Sequence, residues 1–138
     1  MVKRQDTLRL EYRGNESKTT QKNLPAALEL AKKTRKFDLC FENEHKISHQ
    51  TFQEICESLM RLTSLQNLSI AGVSDLGDEG LRSLGQALKV LKCLKKFRLS
   101  LRNPVTDTGV LSICKGLRRL ASLQDLEIHF FSCNQITD

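Results

Sequence analysis

The sequence predicts an α/β solenoid, a right-handed, horseshoe-like arc of 29-residue strand, loop and helix units whose parallel strands line a concave face. Three observations carry that expectation. The segment Leu65-Gln66-Asn67-Leu68-Ser69-Ile70 returns as Leu94-Lys95-Lys96-Phe97-Arg98-Leu99 and again as Leu123-Gln124-Asp125-Leu126-Glu127-Ile128, each time 29 residues on. The same interval taken backwards from Leu68 and Ile70 reaches Leu39 and Phe41, then Leu10 and Tyr12. Within each unit the apolar period changes from two to that of a helix, which marks a strand followed by a helix.

The strand of each unit is the alternating pair typified by Leu68-x-Ile70. It predicts strands near 8–12, 37–41, 66–70, 95–99 and 124–128. After the strand, Ile47, Leu76 and Val105 form one apolar column. Four further columns follow: Phe52, Leu81, Val110; Ile55, Leu84, Ile113; Leu59, Leu88, Leu117; and Leu62, Leu91, Leu120. These four are spaced 3, 4 and 3 residues apart, one face of an α-helix, and predict helices near 23–34, 51–62, 80–91 and 109–120. Ser48, Gly77 and Thr106 stand where a helix N-cap would satisfy orphan backbone donors, and Thr137 repeats the position after a two-residue insertion. Gly80 and Gly109 fall in the first turn. Cys56, Gly85 and Cys114 share a column where small residues would let the helix approach the strand layer, so the cysteines read as packing residues.

Residues 1–138 therefore read as a single array. Residues 1–35 form a degenerate capping unit, with Asn23 and Ala26 where later units carry Phe52 and Ile55; 36–64, 65–93 and 94–122 are full repeats, and 123–138 is a truncated one. Its Ile136-Thr137-Asp138 matches Val105-Thr106-Asp107, which leads into a helix, but no helix follows. The flank of Val110, Ile113, Leu117 and Leu120 is then expected to be covered by further repeats, a partner or a second copy.

These units resemble leucine-rich repeats of the long intracellular type found in the ribonuclease inhibitor and the Ran GTPase-activating proteins. The segment Ser132-Cys133-Asn134-Gln135-Ile136-Thr137-Asp138 resembles the cysteine-containing variant of F-box substrate receptors, and Pro104-Val105-Thr106-Asp107-Thr108-Gly109 is a looser copy. A regular asparagine ladder is missing, because the positions comparable to Asn103 hold Ser74 and His45. The resemblance implies a surface that holds another macromolecule rather than a pocket that transforms one.

Composition agrees with that class. No run of about 18 apolar residues occurs, and no apolar stretch follows the basic pair at Lys3-Arg4, so neither a membrane span nor a secretory signal is expected and the chain reads as intracellular. Five cysteines without a C-x-x-C pair argue against a disulfide framework or a zinc site. Phosphate-binding glycine loops and a G-x-S-x-G elbow are missing, and His45, His49 and His129 show no metal-ligand spacing, so no catalytic residue, cofactor or metal is expected.

Strand alternation names the outward residues of the concave face. By the 29-residue step the rows are Arg9, Asp38, Asn67, Lys96, Asp125; then Glu11, Cys40, Ser69, Arg98, Glu127; then Arg13, Glu42, Ala71, Ser100, His129. Unit by unit this surface runs mixed-basic, acidic, neutral, basic, acidic. A face of alternating sign does not track a phosphate backbone, so nucleic acid is not the favoured partner despite the net charge of +6. Much of the positive charge lies near helix C-terminal ends and acids near helix starts, as macrodipole compensation requires. The expected function is a non-catalytic protein–protein interaction module or scaffold component. The alternatives are substrate recognition for a ubiquitin ligase, RNA or ribosome binding through a basic edge, and regulation of a small GTPase.

Overall fold

A computed structural model of the chain describes residues 7–12, 34–41, 48–73, 76–102 and 105–130. Within them the protein is α/β. Five strands lie in one parallel sheet in chain order, β1 Thr7–Tyr12, β2 Lys36–Phe41, β3 Asn67–Val73, β4 Lys96–Leu101 and β5 Asp125–Phe130. Three helices follow β2, β3 and β4 in turn: α1 His49–Leu59, α2 Gly77–Leu88 and α3 Asp107–Leu117. All five expected strands are present, and the three described helices begin and end two or three residues earlier than the apolar columns suggest. The helix expected at 23–34, the caps at Thr137 and the closing segment 131–138 lie outside the described residues.

The core is built by alternation on both layers. Phe37 and Leu39 of β2, Leu68 and Ile70 of β3, and Phe97 and Leu99 of β4 are buried at 2% exposure or less, together with Phe52, Ile55 and Leu59 of α1 and Leu81, Leu84 and Leu88 of α2. Each helix leaves through a repeated turn: Leu62, Leu91 and Leu120 donate to the carbonyls of Leu59, Leu88 and Leu117, and Leu65, Leu94 and Leu123 to those of Leu62, Leu91 and Leu120. The next strand is then pinned to its neighbour by one shared acceptor. Arg35 O takes the N–H groups of Gln66 and Asn67, Gln66 O those of Lys95 and Lys96, and Lys95 O those of Gln124 and Asp125.

Those acceptors show where the 29-residue step fails. Leu39 pairs with Ile70, not Leu68, so β2 and β3 are offset by 31 residues, whereas β1–β2, β3–β4 and β4–β5 keep 29. The helices and their exit turns stay 29 apart, so the two extra residues fall between β2 and α1. Because two residues are one pleat, the slip leaves every side chain on its expected face and moves only its row. A bulge follows in β3, where Ala71 pairs with Ser100 and Val73 with Leu101. The extra residue is Gly72 at φ 78°, a backbone conformation that costs a side-chain-bearing residue energy.

Two of the three cap positions behave as expected. Ser48 Oγ accepts from Thr51 N at 3.1 Å, and Thr106 Oγ1 from Thr108 N at 3.3 Å. Gly77 does not cap: α2 starts at Gly77 itself, with φ +59°, and Leu76 precedes it without a side-chain hydrogen bond. The first turn of α2 instead reaches forward. Asp78 Oδ1 accepts from Thr106 N at 2.8 Å and Oδ2 from Thr106 Oγ1 at 2.5 Å, tying α2 to the start of α3. Gly109 belongs to the same join, since a Cβ there would collide with the Asp78 carboxylate.

The small-residue column also needs correcting. Cys56 is buried and Gly85 is buried, but Gly85 faces the backbone of Ser112 in α3 rather than the strand layer, and Cys114 is exposed. The physical reason is position in the row: α1 and α2 each have a following helix to pack against, and among the described residues α3 has none. Val110 and Leu117 are accordingly half-buried, Leu111 is 58% exposed and Leu126 is 52% exposed.

Candidate functional site

The face of the sheet turned away from the core carries the residues that alternate with the buried ones. Its rows follow from the pairing. Lys36, Asn67, Lys96 and Asp125 make the first; Arg9, Asp38, Ser69, Arg98 and Glu127 the second; Cys40, Ala71, Ser100 and His129 the third, with the backbone of Thr7 paired to Lys36 and that of Glu11 to Cys40. The sequence-derived rows grouped Arg9 and Asp38 with Asn67, and Glu11 and Cys40 with Ser69. The two-residue offset after β2 moves β1 and β2 by one position along the face. Arg13 and Glu42, assigned to the same surface, lie outside the described residues. Lys36 was missed because β2 was started at Phe37, although the polar-apolar alternation Lys36-Phe37-Asp38-Leu39 already includes it.

Arg9, Asp38, Asn67, Ser69, Lys96, Arg98, Asp125 and Glu127 line one open groove of about 620 Å3, with Cys40 at its side. Ser100 and His129, in the third row, stand outside its wall. The groove divides by strand. β4 and β5 neutralise one another: Lys96 Nζ lies 3.7 Å from Asp125 Oδ2, and Arg98 Nε 2.9 Å from Glu127 Oε2. Glu127 Oε1 is also 2.7 Å from His129 Nε2. The hydrogen bond from His129, then the nearby charge of Arg98, hold the Glu127 carboxyl below the usual carboxylate value. These groups are at least half exposed or nearly so, so the pairs add little stability. Their effect is to fix side-chain directions and to leave the β4–β5 edge with almost no net charge.

The middle of the groove is different. Asn67 and Ser69 of β3 are uncharged and half-buried, and Cys40 beside them is half-buried with a free thiol. This floor is low and neutral, bounded by Asp38 on one side and Lys96 and Arg98 on the other. Its alternating pattern gives directional hydrogen bonding and shape, not a uniform field.

Among the described residues no group of three or more His, Cys, Asp or Glu side chains converges to hold a metal ion, and no helix is long and apolar enough to cross a membrane. The Cys56 thiol is pushed up to about 12 by burial and, secondarily, by Glu57. A thiol in that state is protonated and unreactive. Comparison of the chain with models of known protein families and with curated proteins finds no match.

Proposed function

We propose that the chain is a non-catalytic protein–protein interaction module, built as a leucine-rich repeat solenoid, that meets its partner on the open face of the sheet. The observation that carries this reading is the groove itself: parallel strands in chain order expose alternate side chains in rows, while the opposite face of β2, β3 and β4 is occupied by the core. The recurring step of 29 residues in strand pairing, exit turns and shared acceptors supports the repeat reading.

The partner is a protein rather than a nucleic acid. Lys96 and Arg98, the basic strand of the face, are both matched by carboxylates of β5, and Arg9 stands beside Asp38 in its row, so the face offers no run of one sign for a phosphate backbone to track. A low, uncharged floor between charged walls suits a protruding uncharged or apolar side chain of a partner, held at its flanks by polar contacts.

The test is a substitution that fills the floor without touching the core. Ser69→Arg places a long cation in the centre of the groove, and Arg82→Ala, on the exposed side of α2, serves as control. Capture of interacting proteins by the parent chain, followed by mass spectrometry, should show a set that Ser69→Arg loses and Arg82→Ala keeps. Retention of the same set by Ser69→Arg would reject the face as the binding surface.

A further inference from the structure

Residues 80–124 carry ten Lys and Arg side chains against one acid, Asp107. Four of those cations converge. Lys89, Lys115, Arg118 and Arg119 line a cavity of about 360 Å3 where the C-terminal ends of α2 and α3 meet, away from the sheet face. All four are exposed, and none pairs with a carboxylate among the described residues.

Backbone packing brings them together. A Cβ on Gly85 would collide with the carbonyl oxygen of Ser112, and one on Gly116 would lie 2.5 Å from the carbonyl oxygen of Gly85 and 3.1 Å from Leu88 Cβ. Two glycines thus let α2 and α3 touch backbone to backbone, which carries Lys89 to the last turn of α3. Helix-end compensation does not account for the result. Each helix C-terminus offers roughly half a negative charge, so two of them offset about one of the four positive charges. One unit earlier, the positions of Lys115, Arg118 and Arg119 hold Gln86, Lys89 and Val90, so α2 is compensated by a single cation.

We propose that this cavity is an anion site for a discrete phosphate-bearing ligand, with a diphosphate group as its best match. A phosphate monoester brings about two negative charges, short of the surplus of about three left by the helix ends, and a diphosphate brings more. Arg118 and Arg119 supply planar donor forks suited to phosphate oxygens, and Lys89 and Lys115 supply point charges. A polynucleotide is the poorer fit because the four cations form a cluster and not a path, and the next cations on the sheet, Lys96 and Arg98, are matched by Asp125 and Glu127.

Isothermal titration of the full chain with inorganic pyrophosphate and with inorganic phosphate, at physiological ionic strength, tests the site. Pyrophosphate should bind one to one and at least tenfold more tightly than phosphate. Arg118→Gln should weaken it at least tenfold, since a charge-assisted hydrogen bond is lost. Lys92→Gln, an exposed cation outside the cavity wall, should change it less than twofold. Arg118 also caps α3, so Lys115→Gln reads the same loss should Arg118→Gln melt early. Absence of pyrophosphate binding, equal weakening by Lys92→Gln, or binding of single-stranded RNA that pyrophosphate does not displace would each overturn the proposal.

Discussion

Leu88 stands in the last turn of α2, fully shielded from water, in the column that also holds Leu59 and Leu117. Its Cβ lies so close to α3 that a methyl group on Gly116 would approach it to 3.1 Å, so the cavity left by truncation is walled by backbone that cannot easily collapse. Leu88→Ala removes three carbons, worth about 2.4 kcal/mol of transfer free energy at about 0.8 kcal/mol each, and adds the cost of the void. The expected loss is about 3 to 4 kcal/mol. Leu111→Ala is the matched control, because it makes the same chemical change on α3 at a residue that is 58% exposed, and should cost about 1 kcal/mol or less. Urea unfolding followed by far-ultraviolet circular dichroism measures both, with the m-value checked for constancy. Equal midpoints for the two variants would refute the assignment of inside and outside on which every row of the face depends.

Gly85→Ala should reverse the usual sign of a helix substitution: instead of gaining about 0.5 to 1 kcal/mol, the protein should lose about 1 to 3 kcal/mol, because α3 must move away from the added methyl group. A thermal melt of that variant above the parent would show that the helices are not in backbone contact. Asp78→Ala leaves Thr106 N and Oγ1 without their shared acceptor and should cost about 1.5 to 3 kcal/mol, read by denaturant titration; an unchanged midpoint would remove the link between α2 and α3. Cys56 gives a pH signature. Its thiol is raised from 9.0 to about 12, so between those values the unfolded chain releases a proton that the folded chain keeps, and stability falls as pH rises, by about 1.4 kcal/mol per unit. The contribution is fully present below pH 9.0, and Cys56→Ala should flatten the decline; an equally steep decline in that variant would assign it to other groups.

Strands, helices and faces were legible in the sequence because each depends on local periodicity, and the apolar columns survive small shifts. The row assignments of β1 and β2 were not. Phe37, Leu39 and Phe41 alternate across three positions, so a two-residue slip keeps the pattern apolar, and only the pairing of Leu39 with Ile70 reveals it. Gly77 looked like a cap because Ser48 and Thr106 share its column, yet its left-handed backbone serves the turn into α2. Asp78 was legible as a charge near a helix start; its role as acceptor for the next unit depends on a contact 28 residues away. The groove's neutral floor was visible in Asn67 and Ser69, whereas the neutralisation of β4 by β5 required their register. The basic cavity stayed hidden for a related reason: Lys89 and Arg118 align at 29 residues, but their convergence depends on the close approach that Gly85 and Gly116 permit.

The most direct test of the central claim is site-specific photo-crosslinking of the chain to its partner, with a photoreactive side chain placed either at Ser69 in the floor of the groove or at Gln53 on the exposed side of α1. A partner seated on the open sheet face gives a crosslinked protein adduct at position 69 and none at 53. An adduct at 53 with none at 69 would place the partner on the helices and contradict the account.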